Sequence, residues 1–101
     1  MSFGLSNKTL TYIIDNMKEF REIEGVKIYG SRALGNYKRG SDIDLALIGE
    51  DVNEQIVLEL SKRLNQELPL PYHFDIIAYA SIKNEALIEH IDQYGIMIFS
   101  R

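Results

Sequence analysis

The sequence predicts one α/β (α+β) domain spanning residues 1–101. Segments with helical spacing of apolar residues alternate along the chain with short β-branched runs. A hydrophobic content of 46% over 101 residues is enough for one core and leaves no room for a second. No repeat, low-complexity tract or Pro/Gly-rich linker divides the chain.

Residues 6–22 carry Leu10, Ile13, Ile14, Met17 and Phe20 at helical spacing, with Ser6 as the expected N-cap. Val26–Tyr29 reads as a strand that stops at Gly30, and residues 31–35 read as a helical turn. Asn36–Gly40 reads as a loop and Asp42–Ile48 as the second strand. Asp51 with Glu54 has the spacing of a capping box, opening a helix with Ile56, Leu60 and Leu64 on one side. Pro69 and Pro71 break that pattern, and His73–Tyr79 reads as the third strand. Ser81 is the expected cap of a helix holding Leu87, Ile88 and Ile91, Gly95 ends it, and Ile96–Phe99 forms a last strand.

Composition narrows the chemistry. With no cysteine and two histidines there is neither a disulfide framework nor a zinc cluster. No apolar run reaches the roughly 20 residues of a membrane span, and the N-terminus lacks a secretory pattern, so a cytoplasmic protein is expected. The net charge is −4, and the one local basic cluster, Lys38-Arg39 with Arg32 nearby, is too small for an extended nucleic-acid track.

Two stretches carry chemistry. Gly30-Ser31 forms a small-residue turn that lets a ligand approach the backbone, and a helix starting at Ser31 would aim its free N–H groups at an anion. An ordinary strand-to-helix turn would look the same, and no Walker A spacing is present. Asp42 and Asp44 are the stronger signal. Aspartate disfavours strand interiors, yet Asp44 lies inside an apolar run, and alternation places it on the face of Asp42, Ala46 and Ile48. Asp75 repeats the pattern between Phe74 and Ile76, on the face of His73, Ile77 and Tyr79. If the strands pair in matching register, three carboxylates converge. Two such charges about 4 Å apart repel by about 4 kcal/mol at an effective dielectric near 20, so the site calls for a proton or a cation. Magnesium takes oxygen ligands and keeps one or two carboxylates plus substrate phosphates, and a second ion would steady the leaving pyrophosphate. Arg32, Lys38 and Arg39 could neutralise a triphosphate or simply be solvated; Tyr29, Tyr37 and Tyr72 could stack a base or pack in the core.

Gly30-Ser-Arg-Ala-Leu-Gly35, followed by Ser41-Asp-Ile-Asp-Leu45, resembles the signature of the DNA polymerase β-like nucleotidyltransferases, and more closely that of the minimal, MntA-type members. The resemblance runs from the first strand to the third. It implies a small mixed β-sheet with helices packed on one face and the nucleotide site at the open face. It also implies transfer of a nucleotidyl group from a nucleoside triphosphate, taken here as ATP, with magnesium, two ions being expected. Gly30, Ser31, Arg32 and Ser41 would hold the nucleotide, while Asp42, Asp44 and Asp75 would be the catalytic, metal-binding carboxylates. Many minimal members pair with a small all-helical HEPN-type protein, some as the antitoxin that silences an RNase toxin by adding AMP to a tyrosine. This chain has no room for a helical substrate domain, so a separate chain is expected to bring the acceptor. A binding module that neutralises its partner by contact, a nucleotide sensor without turnover, and a sugar transferase using the Asp-x-Asp pair are the competing readings.

Overall fold

The computed structural model describes residues 3–67 and 70–101. Its elements run in the expected alternating order: α1 (Asn7–Lys18), β1 (Gly25–Tyr29), α2 (Ser31–Leu34), β2 (Ile43–Ile48), α3 (Glu54–Lys62), β3 (Phe74–Ala78), α4 (Glu85–Tyr94) and β4 (Ile96–Ser100). A π-helical turn, Arg63–Glu67, extends α3, and a 3-10 turn, Tyr79–Ser81, follows β3. Of the two prolines expected to end the third helix, Pro69 lies outside the described residues.

The four strands form one mixed sheet in the order β3-β2-β1-β4. β1 pairs antiparallel with both β2 and β4, while β2 and β3 run parallel. Register sorts the side chains onto two faces, because residues abreast on neighbouring strands point the same way. Val26 pairs with Leu47 and Ile28 with Leu45, while Ile43, Leu45 and Leu47 pair with Phe74, Ile76 and Ala78. These side chains form one buried cluster with Ile13 and Met17 of α1 and Ile56, Val57 and Leu60 of α3. At about 25 cal/mol per Å2 of apolar surface, this contiguous core is the main stabilising term of the domain. The opposite face carries a smaller cluster, in which Ile91 of α4 covers Tyr29 and Ala46. The expectation of helices on one face therefore holds for α1 and α3, while α4 crosses part of the other.

The helix ends refine the reading. Ser6 caps α1 as expected, its Oγ accepting from the Thr9 N–H at 3.1 Å. The helix stops at Lys18 rather than running to residue 22, and the Arg101 guanidinium donates to the carbonyls of Lys18, at 3.0 Å, and Phe20, at 2.9 Å. Asp51 does not cap α3: Asn53 does, its Oδ1 accepting from the Ile56 N–H at 3.0 Å. Ser81 likewise closes the 3-10 turn, and Asn84 caps α4 through the Leu87 N–H at 3.1 Å. In both places a cap-forming residue two or three positions further on takes the role, because at the earlier one the chain is still in the turn that leaves the strand. Gly95 ends α4, donating its N–H to the Ile91 carbonyl at 2.9 Å. Asn65, in the π turn, donates to the Phe74 carbonyl and accepts from the Phe74 N–H, at 3.0 and 2.7 Å.

Candidate active site

The chain leaves β1 at Tyr29 and turns into α2 through Gly30, whose φ of +74° and ψ of −154° belong to glycine. A Cβ at this position would run into Oδ2 of Asp44, so the backbone can come this close to the carboxylate only without a side chain. Gly30 donates its N–H to Nε2 of His90 on α4 at 3.1 Å. Its N–H is therefore engaged, and the donors left open at the turn are those of the first α2 residues, beginning with Ser31.

Three side chains lie in a row across the sheet. Tyr29 stands abreast of Asp44, and Asp44 abreast of Asp75, on the face away from the main core. Tyr29 is buried, Asp44 half-buried and Asp75 exposed. Burial, reinforced by the neighbouring Asp75 and Asp42, raises the Asp44 carboxyl above its usual range, against a weaker opposing pull from His90 and His73. The Tyr29 phenol is also pushed up, by burial first and then by Asp44 and Asp75. A cation held at this row would act against both shifts by favouring the charged carboxylate.

Asp42 is exposed and precedes the first β2 residue, so the strand ladder does not hold it. Among the described residues, no three His, Cys, Asp or Glu side chains already form a closed metal cage. What is built is the Asp44–Asp75 pair, with Asp42 at the strand mouth. Oxygen-only donors with incomplete coordination suit a magnesium ion that brings phosphate oxygens with it.

Arg32 is held by backbone carbonyls of the chain itself. It is 3% exposed, donates through Nε and Nη2 to the Ser41 carbonyl and through Nη1 to the Phe3 carbonyl. Its guanidinium lies 5.2 and 5.1 Å from the ring centres of Tyr37 and Tyr72. Those two tyrosines thus clamp an arginine, and Arg32 joins the turn to the 36–41 loop and the N-terminal segment. Ser41 accepts the Lys38 N–H at 2.8 Å, closing that loop immediately before Asp42. His73 is exposed, and its carbonyl accepts the Ile43 N–H at 2.9 Å. A cavity of about 340 Å3 opens at the outer end of β3 between Val57 and Leu87, and none of the site carboxylates lines it. His90 is the residue that sequence reasoning missed. It borders the Leu87–Ile91 stripe, which hints at a half-buried position but not at a partner 60 residues away.

A small mixed sheet with a glycine turn beside paired carboxylates defines the nucleotidyltransferase class. The family model described as "Polymerase beta, Nucleotidyltransferase" matches residues 11–101, and the chain belongs to that family. Among curated proteins no sequence matches. Several solved structures share the fold. A chain of a toxin–antitoxin crystallised with AMP-PNP is similar at 21% identity and a TM-score of 0.76, over 95% of this chain and 75% of that one. A chain of the toxin–antitoxin MntA-HepT gives 17% identity and a TM-score of 0.72, over 95% and 74%. A protein from Shewanella oneidensis gives 19% and 0.67, over 95% and 74%. No helix among the described residues is long and apolar enough to cross a membrane.

Proposed function

We propose that this nucleotidyltransferase transfers AMP from magnesium-bound ATP to an acceptor carried by a separate helical, HEPN-type partner, and so serves as the antitoxin of a two-protein system. The observation that carries the reading is the Asp44–Asp75 pair, abreast on parallel strands with the glycine turn pressed against Asp44. The structural likeness to toxin–antitoxin proteins, one of them crystallised with AMP-PNP, supports both the nucleotide and the partner.

Magnesium, once bound, would offset phosphate charge and lower the pKa of the attacking oxygen. Asp44 and Asp75 would hold it, with Asp42 reaching in from the strand mouth. Ser31 would contact the triphosphate, Gly30 would give it room, and Ser41 with Arg32 would keep the Asp42 approach in shape. Asp75, the more exposed of the pair, would orient the acceptor hydroxyl and take its proton. Exposed Tyr94, Ile96 and Met97, 46%, 38% and 47% accessible, offer apolar contact area for the partner. The setting would be cytoplasmic.

The test is label transfer from ATP carrying its label on the α-phosphate, in source-cell lysate with magnesium, beside Asp44→Asn. A labelled protein band absent with the variant is expected. Label on RNA would replace the acceptor, and retained transfer by the variant would sink the reading. Partner neutralisation that survives loss of both Asp42 and Asp44 would instead favour inhibition by contact alone.

A further inference from the structure

We infer that His90 is a positioning residue for the Gly30 turn, a role that rests on the nucleotidyl-transfer reading. Tyr29↔Asp44 is the last pair of the β1–β2 ladder, so the next N–H, that of Gly30, has no strand acceptor. His90 Nε2 supplies one at 3.1 Å from a helix 60 residues further along the chain. An acceptor at Nε2 places the proton of the neutral ring on Nδ1. The ring is held from two sides, edge-on to Tyr29 with centroids 6.1 Å apart and tilted against Tyr94 at 5.5 Å. The helix beneath it is fixed in turn: Ile91 is fully buried, and the Tyr79 hydroxyl donates to Asp92 Oδ1 at 2.6 Å.

The bond matters because of the backbone it holds. Gly30 adopts a conformation open to few residues, and a glycine there has many other conformations to relax into. The carboxylate of Asp44 sits against its Cα, so a change in the peptide plane would move the wall of the metal site. His90 thus lets α4, which carries none of the site carboxylates Asp42, Asp44 and Asp75, set the shape of the turn.

The experiment measures calorimetric binding of magnesium–AMP-PNP to the wild type, His90→Ala and His90→Gln, with melting temperatures for each. Glutamine carries an acceptor oxygen close to where Nε2 lies, without the ring. His90→Ala is expected to weaken binding about tenfold, the effect of leaving one part-buried donor unpaired, and His90→Gln to recover most of it. Equal affinities for all three proteins would overturn the inference. So would an equal loss in both variants, which would assign the effect to ring packing. If His90→Ala fails to fold, the 15N spectrum of the wild-type imidazole decides, and a proton found on Nε2 refutes the bond. A wild type that binds no nucleotide overturns the nucleotidyl-transfer reading and this inference with it, whereas a wild type that binds beside indifferent variants overturns this inference alone.

Discussion

The two faces of the sheet are built on opposite principles. On one, Val26, Ile28, Leu45 and Leu47 lie at 0% exposure beneath α1 and α3, in a cluster built of apolar side chains among the described residues. On the other, the same strands carry Tyr29, Asp44 and Asp75 in a row, with Tyr29 and Asp44 both driven above their ordinary pKa ranges by burial and by neighbouring carboxylates. Side chains one residue apart along β2 thus do contrary work, Leu45 releasing free energy on folding and Asp44 costing it. A domain this small can keep such a site because the apolar face stabilises the sheet independently of it.

The sharpest break of this contrast comes from the core side. Leu45→Ala should cost about 2–5 kcal/mol through lost contact and the cavity left behind, measured by urea unfolding. Next comes Asp44→Asn, which should lower transfer at least about a hundredfold in a steady-state assay while leaving the far-ultraviolet dichroism intact. The same variant should melt at a higher temperature than the metal-free wild type at neutral pH. The sign follows from the raised Asp44 carboxyl. In the folded state it still holds its proton where the unfolded chain has released it, so its stabilising contribution is complete below the ordinary carboxylate range and is lost as pH rises through the raised value. Melting curves across that window should slope downward for the wild type and flatten for Asp44→Asn. Gly30→Ala should cost about 1–3 kcal/mol, since it forces a strained φ and a collision with Asp44, and it should depress transfer as well. The smallest effect is expected for Ser41→Ala, under about 1 kcal/mol for one exposed loop hydrogen bond. A large drop in nucleotide affinity there would instead give the hydroxyl a direct phosphate contact.

Much of this contrast was legible in the chain. Period-two alternation is a local property, so it assigned Asp44 and Asp75 to the faces they occupy, and the condition of matching register is met in the pairing of Asp44 with Asp75. What alternation could not say is that β2 begins at Ile43, which leaves Asp42 outside the ladder. Ser6 caps α1 as expected, whereas the caps of α3 and α4 lie two and three residues beyond the expected ones, because Asp51 and Asn53, like Ser81 and Asn84, are all able to cap, and only the path of the chain chooses between them. Arg32 looked like a phosphate ligand from its neighbours Gly30 and Ser31. Its burial depends on Phe3, Tyr37 and Tyr72, contacts that no local pattern announces. The same holds for His90, which meets Gly30 through tertiary structure alone.

The Asn65 side chain has a consequence for how the molecule meets others of its kind. β3 is an outer strand, and an outer strand with bare backbone groups is a template for another chain to add to. By bonding both the N–H and the carbonyl of Phe74, Asn65 imitates one residue of a neighbouring strand and fills the place where such growth would begin. The sheet is stoppered at that corner by its own amide, which adds to the exposed Asp75 carboxylate in discouraging self-association through β3.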